Sequence, residues 1–347
     1  MYSDMPRPEA ANGPDMGARR RPPLAMGAAL YLWAVVSLIA FSLFSPALGT
    51  FLQGLFPGMD AQALSLAAAA IYYLPFVLLP AALAVRRAGS AEAARLNGMR
   101  PLAMLGMVGL ALCGLLLAQY VTVLWMMLLE ALRIPYASTG LDLPTTTQGT
   151  MLMVLSVAVL PGVCEEFLFR GAMLGAFERL GTKKAIVLTA VLFTLWHGSL
   201  SGVPAELFTG LMLGYVAFAF DSVYAAITYH TVHNAAIVLM NVYSAGAEVT
   251  AEEEALLAQG TFAYMGGWQG VFWMLFYVAL LAWAMRGFLR VTEHSRRMHG
   301  IRAVPPGGEK LRAGALCMLC VGALIMAGIY ALDIAALLAG GAAMSSA

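Results

Sequence analysis

Eight side chains that could carry chemistry crowd into one apolar stretch of the chain, residues 148–243: Glu165, Glu166, Arg170, His197, Glu206, His230, His233 and Asn234. Three of the chain's five histidines are among them. A charged side chain at the centre of a membrane helix costs about 2.5–3.5 kcal/mol on insertion scales, so this concentration needs a reason. Spacing sorts the group. Glu166 and Arg170 are i, i+4 and can pair on one helix face. Glu165 points about 100° away on a 3.6-residue helix, so the two carboxylates cannot do the same job. An ion pair would ease the burial of Glu166 and Arg170 and leave Glu165 free to face a cavity. His230 and Asn234 repeat the i, i+4 spacing, as do Phe193 and His197. One carboxylate of the Glu165–Glu166 pair can serve as a general base, and three helices thus each offer polar groups that could meet in one buried, wet site. Each group also has a plain structural reading. Glu166–Arg170 can be a packing clamp, and His197 or His230–Asn234 can be polar glue between helices. His233 reads as a core histidine, and Glu206 as a residue near a segment end that reaches water.

The elements that hold these groups follow from composition. Of 347 residues 61% are hydrophobic and 11% charged, against roughly 25% charged in a soluble domain. That excludes an ordinary cytosolic enzyme and a disordered chain. The net charge of +1 gives no field to attract polyanions, so nucleic acid is not an expected partner. A bilayer core needs about 20 apolar residues per helix. The expected fold is therefore all-α, a polytopic transmembrane bundle of about nine spans. They fall near 24–44, 61–85, 101–129, 148–174, 184–201, 203–220, 223–243, 266–285 and 312–339. Gly198–Gly202 and Phe220–Ser222 read as the breaks around the sixth. Residues 1–23 read as a disordered cytoplasmic tail, 24–147 as N-terminal helices, 148–243 as the chemical core, and 244–347 as an acidic external loop with C-terminal helices.

With nine alternating spans, 18 of the 20 Lys and Arg fall on one side, Arg133 and Arg170 being the two exceptions. The positive-inside rule then puts the N-terminus in the cytoplasm and the solvated loop bearing Glu248, Glu252, Glu253 and Glu254 outside. Cys113, Cys164, Cys317 and Cys320 lie in apolar segments and read as small packing residues.

Glu165-Glu166-Phe-Leu-Phe-Arg170 fits EExxxR, Phe193-Thr-Leu-Trp-His197 fits FxxxH, and His230-Thr-Val-His-Asn234 fits HxxxN. In this order on successive helices they resemble the CPBP, or ABI, family of intramembrane proteases, which includes the type II CAAX prenyl endopeptidases. Phe208-Thr-Gly210-Leu-Met-Leu-Gly214-Tyr215 is similar to that family's glycine-rich helix, whose small faces allow close approach. The resemblance implies an intramembrane endopeptidase of the plasma membrane, in a bacterium the cytoplasmic membrane. Its partners would be the lipid bilayer and a peptide or membrane-protein substrate. It further implies that Glu165, assisted by His197, activates water. His230 and Asn234 would donate to the oxyanion, while Glu166 and Arg170 hold the geometry.

Family members are commonly named metalloproteases, and Glu165, His197 and His230 could supply a His₂Glu set for a divalent metal such as zinc. A metal-free Glu–His mechanism fits the same motifs. A non-catalytic scaffold or bacteriocin-immunity protein, binding a peptide in the same cavity, is the alternative function.

Overall fold

The computed structural model describes residues 21–89, 94–134, 143–245, 250–298 and 309–344. Most of the expected tail and Glu248 lie outside them. Among the described residues the chain is all-helical, without a strand. Helix α1 is Leu24–Leu55, and α2 is Ala61–Tyr72, continued by a π-helical stretch Tyr73–Leu78 into α3, Leu79–Arg87. Helix α4 is Pro101–Ala131. The next long helix is broken into α5 Thr147–Val154, a π stretch Leu155–Val159, α6 Leu160–Glu166, a second π stretch Phe167–Met173, and α7 Leu174–Phe177. Then come α8 Thr182–His197, α9 Val203–Ala219, α10 Val223–Ser244, the short α11 Ala251–Ala258 and α12 Thr261–Tyr264, α13 Gly267–Met298 and α14 Ala313–Met344.

Among the described residues, six helical runs are long and apolar enough to cross a membrane: Leu24–Leu55, Ala61–Arg87, Pro101–Ala131, Thr147–Leu180, Gly267–Gly287 and Ala313–Leu338. The chain is thus a multi-pass membrane protein. The three remaining expected segments form helices of a different kind. Helices α8 and α9, of 16 and 17 residues, are about 24–26 Å long at 1.5 Å per residue, short of a ~30 Å hydrocarbon core. Helix α10 has 22 residues but spends several on Tyr, Thr, His and Asn. The expected breaks are present. Gly198, at φ +68°, ends α8 with a left-handed cap, and a turn at Phe220–Ser222 separates α9 from α10.

The run Thr147–Leu180 is the centre of the bundle. Its apolar window is 56% buried, against 12% for Gly267–Gly287. Glycines let neighbours close on it: a Cβ at Gly162 would lie 2.4 Å from Thr231 Oγ1 and 3.2 Å from the Thr231 nitrogen on α10. On the far side α8 and α9 pack tightly. A Cβ at Gly210 would sit 3.1 Å from Ala190 Cα, and one at Gly214 would sit 3.1 Å from Ile186.

Prolines inside helices free carbonyls, because a proline offers no N–H to the residue four back. Three such carbonyls have a side-chain donor here. Ser42 O, four before Pro46, accepts from Ser45 Oγ at 3.1 Å. Phe76 O, four before Pro80, accepts from Trp33 Nε1 at 2.8 Å. Val157 O, four before Pro161, accepts from Asn234 Nδ2 at 3.1 Å.

One end of the bundle is tied by charge. Arg95, 2% exposed and at φ +54°, pairs with Glu178 and reaches Asp221 at 3.6 Å, while its carbonyl accepts from Val223 N at 2.9 Å. Arg179 donates to Arg21 O and Pro22 O and pairs with Glu309. At the opposite end Trp125 donates to Leu200 O, and Glu130 accepts from Thr261.

Two sequence expectations need correction. The acidic loop contains helix α11, started by a capping box: Glu253 N donates to Thr250 Oγ1 at 3.2 Å while Glu253 Oε2 accepts from Thr250 N at 2.9 Å. These bonds hold the Glu253 carboxyl below its usual range. Of the cysteines, Cys164 is buried in the core, whereas Cys317 and Cys320 lie on the outer surface of α14.

Candidate active site

The two adjacent glutamates face different helices. Glu166 Oε1 accepts from Arg170 Nη1 at 2.9 Å and from His230 Nδ1 at 2.8 Å. Glu166 and Arg170 are both fully buried. Arg170 turns its other arm to Gly210 O at 3.1 Å and lies 4.4 Å from the centroid of the Phe193 ring, a cation–π contact. One guanidinium thereby ties the central helix to α8, α9 and, through Glu166, to α10. A planar fork with several donors suits this post.

His230 is 3% exposed. Because a carboxylate only accepts, its Nδ1 carries the proton toward Glu166, leaving Nε2 to accept from Asn234 Nδ2 at 3.1 Å. Asn234 spends its second N–H on Val157 O. Both N–H groups of Asn234 and the ring N–H of His230 are therefore bonded within the protein.

Glu165, 3% exposed, points the other way. Its Oε1 accepts from Tyr73 Oη at 2.7 Å, and its buried Oε2 has no hydrogen-bond partner among the described residues. His197 closes α8. Its Nδ1 donates to Phe193 O at 2.8 Å, so Nε2 is the unprotonated nitrogen, and the ring is exposed. Phe193 thus serves twice, its ring under Arg170 and its carbonyl on His197. Glu165 and His197 are not hydrogen-bonded to each other. Glu206, on the first turns of α9, is within electrostatic reach of both, and its Oε2 is buried without a partner among the described residues; it does not simply face water. His233 packs parallel to Tyr229, with ring centroids 6.1 Å apart, as a core histidine does.

The His₂Glu metal set does not fit this arrangement. Both ring nitrogens of His230 are engaged, and no three His, Cys, Asp or Glu side chains among the described residues are placed to hold a metal ion.

The segment that carries this geometry, residues 147–236, matches the family model of the type II CAAX prenyl endopeptidase Rce1-like proteins. Over this segment the chain is similar to the Rce1-like family. The Rce1-like segment starts at the head of α5 and ends just past Asn234, so it contains all three motifs and the helix α9 that Arg170 grips. The Rce1-like family is one of proteases. No curated protein and no solved structure matches the chain. Tyr73 lies outside the Rce1-like segment, and sequence reasoning missed it: a tyrosine in an apolar run carries no motif. Val157 O could have been suspected, since Pro161 stands four residues on.

Proposed function

We propose that the protein is an intramembrane endopeptidase that hydrolyses a peptide bond of a membrane-associated, CAAX-type substrate. The observation that supports this best is the Glu165 carboxylate, buried, with Oε1 held by Tyr73 and Oε2 unengaged, inside a segment matched by a protease family. Glu165 Oε2 takes a proton from water as the water oxygen adds to the scissile carbonyl carbon. His197, with Nε2 open, orients that water. Collapse of the tetrahedral intermediate passes the Glu165 proton to the departing amine nitrogen, leaving new carboxyl and amino termini. The charge that builds on the carbonyl oxygen draws the Asn234 N–H away from His230 Nε2. Such a donor contributes about 10²–10³ in rate. Glu166 and Arg170 keep α10 and α9 in register with the base. Every step uses this chain's own residues and water.

We place the chain in a plasma membrane as nine spans with a cytoplasmic N-terminus. In support, residues 21–22, 95, 178–179, 221–223 and 309 meet at one end of the bundle, and 125–130, 200 and 261 meet at the other. This is the order that alternating spans require. Glu165 and His230 then lie roughly 12–15 Å below the cytoplasmic surface.

The test compares protein termini in membranes of cells carrying wild type, Glu165→Gln or a deletion. Termini that appear only with wild type establish proteolysis and name its substrates. Identical termini with wild type and Glu165→Gln overturn the reading. A non-catalytic peptide-binding scaffold is the second reading, favoured by the fact that the N–H groups of Asn234 and His230 are already bonded within the protein. It requires Glu165→Gln and His197→Ala to preserve function.

A further inference from the structure

We infer that Tyr73 is a positioning residue for the catalytic carboxylate, contributed by a helix outside the Rce1-like segment. The inference rests on Glu165 acting as the base. Tyr73 Oη donates to Glu165 Oε1 at 2.7 Å, whereas Oε2 is buried and meets no other protein group among the described residues. The terminal torsion of a glutamate is broad and nearly two-fold, so packing alone does not decide which oxygen faces a water. A single hydrogen bond to Oε1 decides it. The donor is neutral. A lysine or arginine in its place would pair with the carboxylate charge, while a phenol orients the group and leaves the charge to the reaction.

The backbone is shaped to deliver this hydroxyl. Tyr73 begins the π-helical stretch Tyr73–Leu78, which contains Pro75 and runs up to Pro80, two residues that cannot donate to a helical ladder. Local π geometry recurs where a side chain must be aimed at a functional site. The ring is fixed by neighbours: it stands edge-on to Tyr72 at 5.3 Å, and Tyr72 in turn stacks on Phe41 of α1 at 4.7 Å. Two helices outside the family segment therefore fix the angle at which Glu165 meets its water. Displacing a reacting group by about 1 Å costs roughly 10²-fold in rate.

The experiment uses full-length protein in proteoliposomes with an internally quenched, farnesylated CAAX peptide as the probe. Tyr73→Phe is expected to lower kcat by roughly 10²-fold, with KM and thermal unfolding unchanged and the pH–rate profile displaced. Tyr243→Phe, the same deletion at an exposed tyrosine of α10, is expected to behave as wild type. Infrared difference spectra between wild type and Glu165→Gln isolate the Glu165 carboxyl band, and Tyr73→Phe should shift that band whether or not the probe is cleaved. An unshifted band, or wild-type kcat in Tyr73→Phe beside an inactive Glu165→Gln, overturns the role of Tyr73 and leaves the protease reading standing. A Glu165→Gln variant as fast as wild type overturns the protease reading itself. If Tyr73→Phe unfolds, Tyr73→His retains a ring N–H and must recover part of kcat; a folded but inactive Tyr73→His also overturns the proposal.

Discussion

Asn234 donates to the carbonyl oxygen of Val157 at 3.1 Å, across from α10 to the central helix. That carbonyl is free because Pro161, four residues on, has no N–H to give it. One side chain thus closes a defect in the helix before Glu165 and Glu166 and touches His230 on the same α10 face. Asn234→Ala should do two separable things. It should lower turnover by about 10²–10³, and it should destabilise the protein by about 1–3 kcal/mol by leaving a buried carbonyl unpaired. Adding Pro161→Ala, which restores the helical donor, should return the stability and not the turnover. Unfolding in detergent and probe cleavage measure the two independently.

Arg170 binds Glu166, Gly210 O and the face of Phe193 at once. Removing one partner of a fully buried ion pair costs about 3–5 kcal/mol, so Arg170→Ala should lose both fold and activity. Arg170→Lys keeps the charge and loses the fork. It should fold better than Arg170→Ala and remain nearly inactive. A fully active Arg170→Lys variant would show that charge alone suffices.

Gly162 faces Thr231, the residue next to His230. Gly162→Ala should push α10 away and cost about 1–3 kcal/mol by overpacking. In a Thr231→Ala background the hydroxyl at 2.4 Å is gone, so most of that cost should disappear. Additive losses in the double variant would mean that the two helices do not meet there.

Trp33 donates to Phe76 O, the carbonyl that Pro80 leaves without a helical donor. Trp33→Phe should cost about 1 kcal/mol in the wild-type background and markedly less once Pro80→Ala supplies an N–H to the same carbonyl. A double-mutant cycle on the unfolding midpoint isolates this coupling.

What could be read in the sequence was local. The i, i+4 spacing that placed Glu166 beside Arg170 and His230 beside Asn234 needs only a helix, and Gly198 marks its break through a backbone conformation that glycine adopts freely. What could not be read depended on other elements or on departures from the α-helix. Tyr73 meets Glu165 across a sequence separation of 92. The π stretches at 73–78, 155–159 and 167–173 follow no 3.6-residue period, so periodicity alone could not place side chains beyond them. His230 offered two ring nitrogens to several roles, and only the location of Glu166 settles where its proton points. The Thr250–Glu253 capping box was visible in the letters, and the weight of four glutamates drew it into a loop.

The clasp at Arg179 has a consequence for how the protein is made. Its guanidinium donates to Arg21 O and Pro22 O, from before the first helix, and pairs with Glu309, just before the last. The first helices emerge long before Glu309 is translated, since domains form as synthesis proceeds. The Rce1-like segment can therefore assemble its glutamates, arginine and histidines while this end of the bundle still stands open. Arrival of α14, which also lays Tyr330 against Thr194 O near the end of α8, closes that end and delivers the last wall beside His197. A nascent chain stopped short of residue 309 would hold nearly all of the Glu166–Arg170–His230 network without its closure.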